Sequence, residues 1–64
     1  MLELDLVFQK FVEKKLDQLT ESQFTAFDNL LAHNDPILYA WVMGHDEPQE
    51  KELAEIVSFI RNCN

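Results

Sequence analysis

Residues 20–44, TESQFTAFDNLLAHNDPILYAWVMG, hold two helix beginnings and one firm helix end, and that punctuation decides the fold. Thr20-Glu21-Ser22-Gln23 reads as a capping box: the Thr20 hydroxyl accepts from the backbone at Gln23, whose side chain reaches back. Phe24, Phe27, Leu30 and Leu31 follow at helical spacing and are expected to face inward. The helix is expected to end near His33-Asn34, with Asn34 in the left-handed C-terminal position. Asp35 is then the expected N-cap of a further helix, with Pro36 in its first turn, where a missing N–H costs nothing. Ile37 to Met43 continue that helix and Gly44 stops it. Such a helix, short and apolar all round, is either central or leaves an apolar side open.

On the N-terminal side, a helix is expected from about Leu2 to Asp17. At about 100° per residue, Leu4, Phe8, Phe11 and Val12 share a face that Leu16 and Leu19 continue. Asp5 falls at the edge of this stripe, between Val12 and Leu16, and Glu3 on the polar side. A carboxylate so placed needs a hydrogen-bond donor. Two readings stand: Asp5 caps a neighbouring helix, or it forms an acidic contact surface with Glu3. The start itself carries no Ser, Thr, Asp or Asn cap. On the C-terminal side, a last helix is expected from Glu47-Pro48 to about Arg61. Leu53, Ile56, Val57 and Ile60 face inward, and Phe59 lies off the stripe. Glu50 and Glu52 near the helix start and Arg61 near its end complement the helix dipole. No run of β-branched residues alternates with polar ones, so no strand is expected. Short loops favour antiparallel neighbours. The expected architecture is all-α: a small compact antiparallel bundle of about four helices, one domain over residues 1–64.

The chain has 64 residues and a net charge of −7, from twelve acids against five bases. Phosphate backbones repel such a surface, so nucleic acid is excluded as a partner. The longest apolar run, residues 37–43, is far below the ~20 residues that span a bilayer. No basic segment precedes an apolar one as in a signal peptide. A soluble, cytoplasmic protein is expected. Its one cysteine, Cys63, forbids an intrachain disulfide and suits a reducing compartment.

No catalytic constellation emerges. Ser22 belongs to the capping turn, Cys63 to the chain end, and Ser58, His33 and His45 fall in no nucleophile motif. The two histidines and the cysteine form no zinc set. Asp46, Glu47, Glu50, Glu52 and Glu55 lack the glycine and spacing of a calcium loop. The single glycine excludes a phosphate-cradling loop. No metal, no bound cofactor and no enzymatic activity are expected. Tyr39 and Trp41 either pack in the core or meet a partner, since aromatics serve both purposes. From physics alone the chain is a small acidic helical adaptor.

Several segments occur together in one order: MLELDL, Phe11, Leu16-Asp17-x-Leu19-Thr20, Phe27-x-x-Leu30-Leu31, Asp35-Pro36-x-Leu38-x-x-Trp41-x-x-Gly44, and Leu53-x-x-Ile56-Val57-x-x-Ile60-Arg61. On these the whole chain resembles the succinate dehydrogenase assembly factor 2 family, the SdhE (YgfY) proteins of bacteria and their mitochondrial relatives. The resemblance implies a helical protein that promotes covalent FAD attachment to the flavoprotein subunit of succinate dehydrogenase, and in some bacteria of fumarate reductase. It implies a cytoplasmic monomer, or a matrix protein in a eukaryote. The family signature is Arg-Gly-x-x-Glu. Glu3 matches its glutamate, while the Arg-Gly pair and the helical segment before it would stand ahead of Met1. A trimmed chain, an internal start or a short member would each explain that. Carried over, Glu3 is the partner-contacting carboxylate, and Asp5 is contact or cap. Asp35, Pro36 and Gly44 are fold determinants, and Trp41 and Tyr39 border the same surface. The alternative is an antitoxin-like interaction module unrelated to flavin.

Overall fold

The computed structural model describes residues 1–63. In chain order these form α1 (Leu2–Lys15), a 3₁₀ turn (Leu16–Gln18), α2 (Glu21–Leu30), α3 (Asp35–Val42) and α4 (Lys51–Cys63). There is no strand among the described residues, and the chain is the small all-helical bundle its sequence implies. α4 packs against all three other helices, and α1 also touches α3.

The choice of α4 as the central helix follows from its sequence. Leu53, Ile56, Val57 and Ile60 recur at spacings of three, one and three, which keeps them on one helical stripe. All four are buried. Each such side chain contributes about 1.5–3 kcal/mol on leaving water, so this stripe anchors the fold. Phe11 of α1 completes the core at 0% exposure. Its ring lies 5.2 Å from that of Phe27 on α2 and meets Phe59 of α4 edge-on at 5.6 Å. Phe59, expected off the stripe, is half-buried and packed on the core, because Phe11 reaches over to it.

The capping box at Thr20 forms in full: Thr20 Oγ1 accepts from Gln23 N at 3.1 Å, and Gln23 Oε1 from Thr20 N at 2.9 Å. Four expectations are corrected. First, the buried stripe of α1 runs along Leu4 and Phe11 with Val7 and Phe8 beside them, and Val12 is exposed. The stripe is rotated away from Val12 because Phe11, not the stripe's geometric mean, points at α4. Second, α2 buries Ala26, Phe27 and Leu30, while Phe24 and Leu31 are exposed. Phe24 and Leu31 are seven residues apart and share a side that no other helix covers.

Third, α2 stops at Leu30 and Asn34 is not left-handed. Asn34 has φ −78° and caps α3, its Oδ1 accepting from Ile37 N at 3.2 Å. Asp35 is therefore the first helical residue rather than the cap. Two adjacent cap-competent residues compete there, and the upstream one wins. Fourth, α4 begins at Lys51, not at Glu47-Pro48. The residue before a proline is steered away from helical angles. The Asp46 side chain takes the Glu47 N–H at 2.8 Å, and His45 N and Asp46 N both bond the Ala40 carbonyl, which holds the segment as a loop.

Gly44 ends α3 as expected, with φ +79°. That conformation costs an L-residue roughly 1–2 kcal/mol and costs glycine nothing comparable. A second reason comes from the far end of the chain: a Cβ at Gly44 would stand 2.9 Å from Arg61 Nη2. Arg61 lies in the last turn of α4 and reaches back across the loop to Glu47 at 3.4 Å.

Candidate functional site

Most of the residues singled out by sequence lie on two surfaces. The first is the start of α1. Glu3 and Asp5 are both exposed there. Positions two apart on a helix lie ~160° apart around its axis, so the pair does not form one acidic patch. Asp5 also lies well off the true buried stripe, and no hydrogen bond reaches its carboxylate among the described residues. It does not cap a neighbouring helix. What lies beside Glu3 is Leu6, one turn on, with Leu2 adjoining; they are 50% and 73% exposed. Sequence reading missed these leucines. Their signal was legible: both fall off the Leu4–Phe11 stripe and so have no place in the core.

The same edge includes the start of α3. The Met1 α-ammonium donates to Asp35 Oδ2 at 2.8 Å. This hydrogen bond, and then the Asp35 charge, raise the ammonium pKa above its ordinary 8.0. Asp35 thus ties the beginning of α1 to the beginning of α3. Pro36 occupies the first turn of α3. Glu3 has no ion pair or side-chain hydrogen bond among the described residues, so its carboxylate is free to meet a donor from outside.

The second surface is a groove of about 420 Å³ between α3, the following loop and the start of α4. Ile37, Trp41, Pro48 and Leu53 line it, with Asp46, Glu47, Glu50, Gln49 and His33 around them. Trp41 is half-buried, with the His33 ring edge-on at 5.0 Å. His33 Nδ1 lies 3.3 Å from the Leu30 carbonyl at the end of α2, as expected for a histidine at a helix C-terminus. Tyr39 is on a different side of α3, half-buried beside His45 at 6.3 Å. Trp41 and Tyr39 therefore pack on the core, as one of their two expected roles requires, and each keeps part of its ring in solvent.

No group of three metal-ligating side chains occurs among the described residues. The groove does not suit a flavin dinucleotide: its charged groups are carboxylates, which repel a diphosphate. No helix among the described residues is long and apolar enough to cross a membrane.

No solved structure matches. Among curated proteins, the chain is 73% identical over its whole length to the FAD assembly factor SdhE of Legionella pneumophila strain Lens, covering 80% of that protein. It is 39% identical over its whole length to the FAD assembly factor SdhE of Coxiella burnetii, covering 78% of it. It is 45% identical over 94% of its length to the FAD assembly factor SdhE of Idiomarina loihiensis, covering 67% of it. The family model described as Sdh5, flavinator of succinate dehydrogenase, matches residues 1–64. The chain belongs to the Sdh5 flavinator family.

Proposed function

We propose that this chain, acting as one domain and as a monomer in the cytoplasm, promotes covalent attachment of FAD to the flavoprotein subunit of succinate dehydrogenase. It does so as an assembly factor and not as an enzyme. Its family and the names of its relatives support this reading. The observation that carries it to particular residues is the unpaired, exposed Glu3 beside exposed Leu2 and Leu6. An apolar rim around a carboxylate excludes water and strengthens a charge-assisted hydrogen bond to a partner's donor.

In this reading the start of α1 docks on the flavoprotein subunit and holds it in a form that attaches its own flavin. The partner supplies the flavin and the histidine that is modified. The chain supplies shape and one carboxylate. Asp35, Pro36 and Gly44 set the scaffold, while Tyr39 and Trp41 lie on two different sides of α3. Asp5 points to another side of α1 and is a peripheral contact at most. The flavoprotein subunit of fumarate reductase is a second target of the same surface.

The test is co-expression with the flavoprotein subunit and in-gel flavin fluorescence. Glu3→Ala and Leu6→Ala are each expected to lower covalent flavin by about tenfold, the scale of one good interface contact. Helical circular dichroism is expected to stay unchanged, since both side chains are exposed. Undiminished flavin in Glu3→Ala would remove Glu3 from the working surface.

A further inference from the structure

The groove beside Trp41 plays no part in the reading above, and its composition is specific. Its floor is apolar, formed by Ile37, Trp41, Pro48 and Leu53. Every acidic or basic side chain along it, apart from His33, is a carboxylate: Asp46, Glu47 and Glu50. Among the described residues no lysine or arginine lines it. Glu47 is already engaged by Arg61 at 3.4 Å. One oxygen of Asp46 takes the Glu47 N–H, and among the described residues no hydrogen bond or ion pair engages the other. Among the described residues Glu50 has no ion-pair partner.

We propose that this groove is a docking site for a short basic segment of a protein partner, one arginine or lysine entering between Asp46 and Glu50 beside Trp41. Charge complementarity selects the occupant. A cation near an indole and two carboxylates gains on both counts, and a guanidinium is better suited than an ammonium because it is planar and forked. At about 420 Å³ the open groove has room for one long side chain. A second copy of this chain is a poor occupant, because each copy carries a charge of −7 and would bring acids to acids. The site is independent of the flavoprotein reading, which rests on the start of α1.

Trp41 is the one tryptophan of the chain, so its emission reports on the groove directly. The probe is a capped ten-residue peptide of alternating leucine and arginine, titrated into the full chain at low ionic strength. A saturable shift in Trp41 emission is expected, weakening as salt is added. The double variant Asp46→Asn/Glu50→Gln is expected to lose at least about tenfold in affinity, a change of ~1.4 kcal/mol. Glu13→Gln/Asp17→Asn removes the same charge outside the groove and is expected to bind within about twofold of the unaltered chain. Equal weakening by both pairs would assign the attraction to net charge and overturn the proposal. So would equal binding of a peptide with glutamine in place of arginine, the absence of any saturable change, or self-association of the chain that buries Trp41. All four substituted residues are exposed, and helical circular dichroism confirms that both variants are folded.

Discussion

Replacing Gly44 with alanine tests how the α3–α4 loop is held. Gly44 has φ +79°. Moving an alanine into that region costs roughly 1–2 kcal/mol, offset in part by the lower entropy of the unfolded alanine chain, about 0.4–1 kcal/mol. The net backbone cost is about 1 kcal/mol. The new Cβ would also meet Arg61 Nη2 at 2.9 Å and Cζ at 3.3 Å. Those atoms end a flexible side chain, so the guanidinium moves rather than the backbone. It then gives up its partly exposed contact with Glu47, worth between zero and about 1 kcal/mol because solvent screens it. The sum is about 1–2 kcal/mol. In a domain of this size that lowers the thermal midpoint by about 5–15 °C. Urea unfolding followed by circular dichroism measures it. Repeating the substitution in an Arg61→Ala background separates the contributions: the backbone cost persists and the Arg61 share disappears. A loss below about 0.3 kcal/mol for Gly44→Ala would refute the reasoning, since neither the left-handed backbone nor the close approach could then be real.

Three further outcomes follow from the packing and electrostatics. Phe11 is fully buried against two other rings; Phe11→Ala is expected to cost about 3–5 kcal/mol, and calorimetry should show little or no cooperative transition, because a core this small holds little more. Thr20→Ala removes the hydroxyl of the capping box and is expected to cost about 1 kcal/mol in urea unfolding. The Met1 ammonium has a raised pKa in the folded chain. Its contribution is therefore fully present below the ordinary value of 8.0 and is lost as pH rises through the higher folded value. The thermal midpoint should fall over that window in the unaltered chain, and Asp35→Asn should flatten this part of the profile.

Some residues carried their structural meaning on the surface of the sequence. Thr20 and Gln23 satisfy each other within one turn, so no distant group is needed to know that α2 starts there. Leu53, Ile56, Val57 and Ile60 leave only one side on which α4 can bury itself. Gly44 ends α3 by its own backbone freedom. The resemblance carried by MLELDL and by Asp35 to Gly44 reached the family from sequence alone, and the family model confirms it over residues 1–64.

Other residues were undetermined until the helices met. α1 has more apolar residues than its buried stripe can hold, and α2 likewise; a chain of 64 residues cannot cover them all. Whether Val7 or Val12 faces inward depends on where Phe11 finds Phe27 and Phe59, and periodicity does not contain that distance. The choice between Asn34 and Asp35 as cap lies below what local preference resolves, since both residues cap well. Asp5 looked misplaced only because the stripe was centred too near Val12. Leu2 and Leu6 could be placed outside the core, beside Glu3, only once that stripe was fixed. Arg61 reaches Gly44 and Glu47 across a turn of chain that no helical pattern encodes. Local hydrogen bonding and periodicity set where the helices are. Only the competition for one small core set which faces were left outside, because periodicity offers more apolar residues than a core of this size can bury.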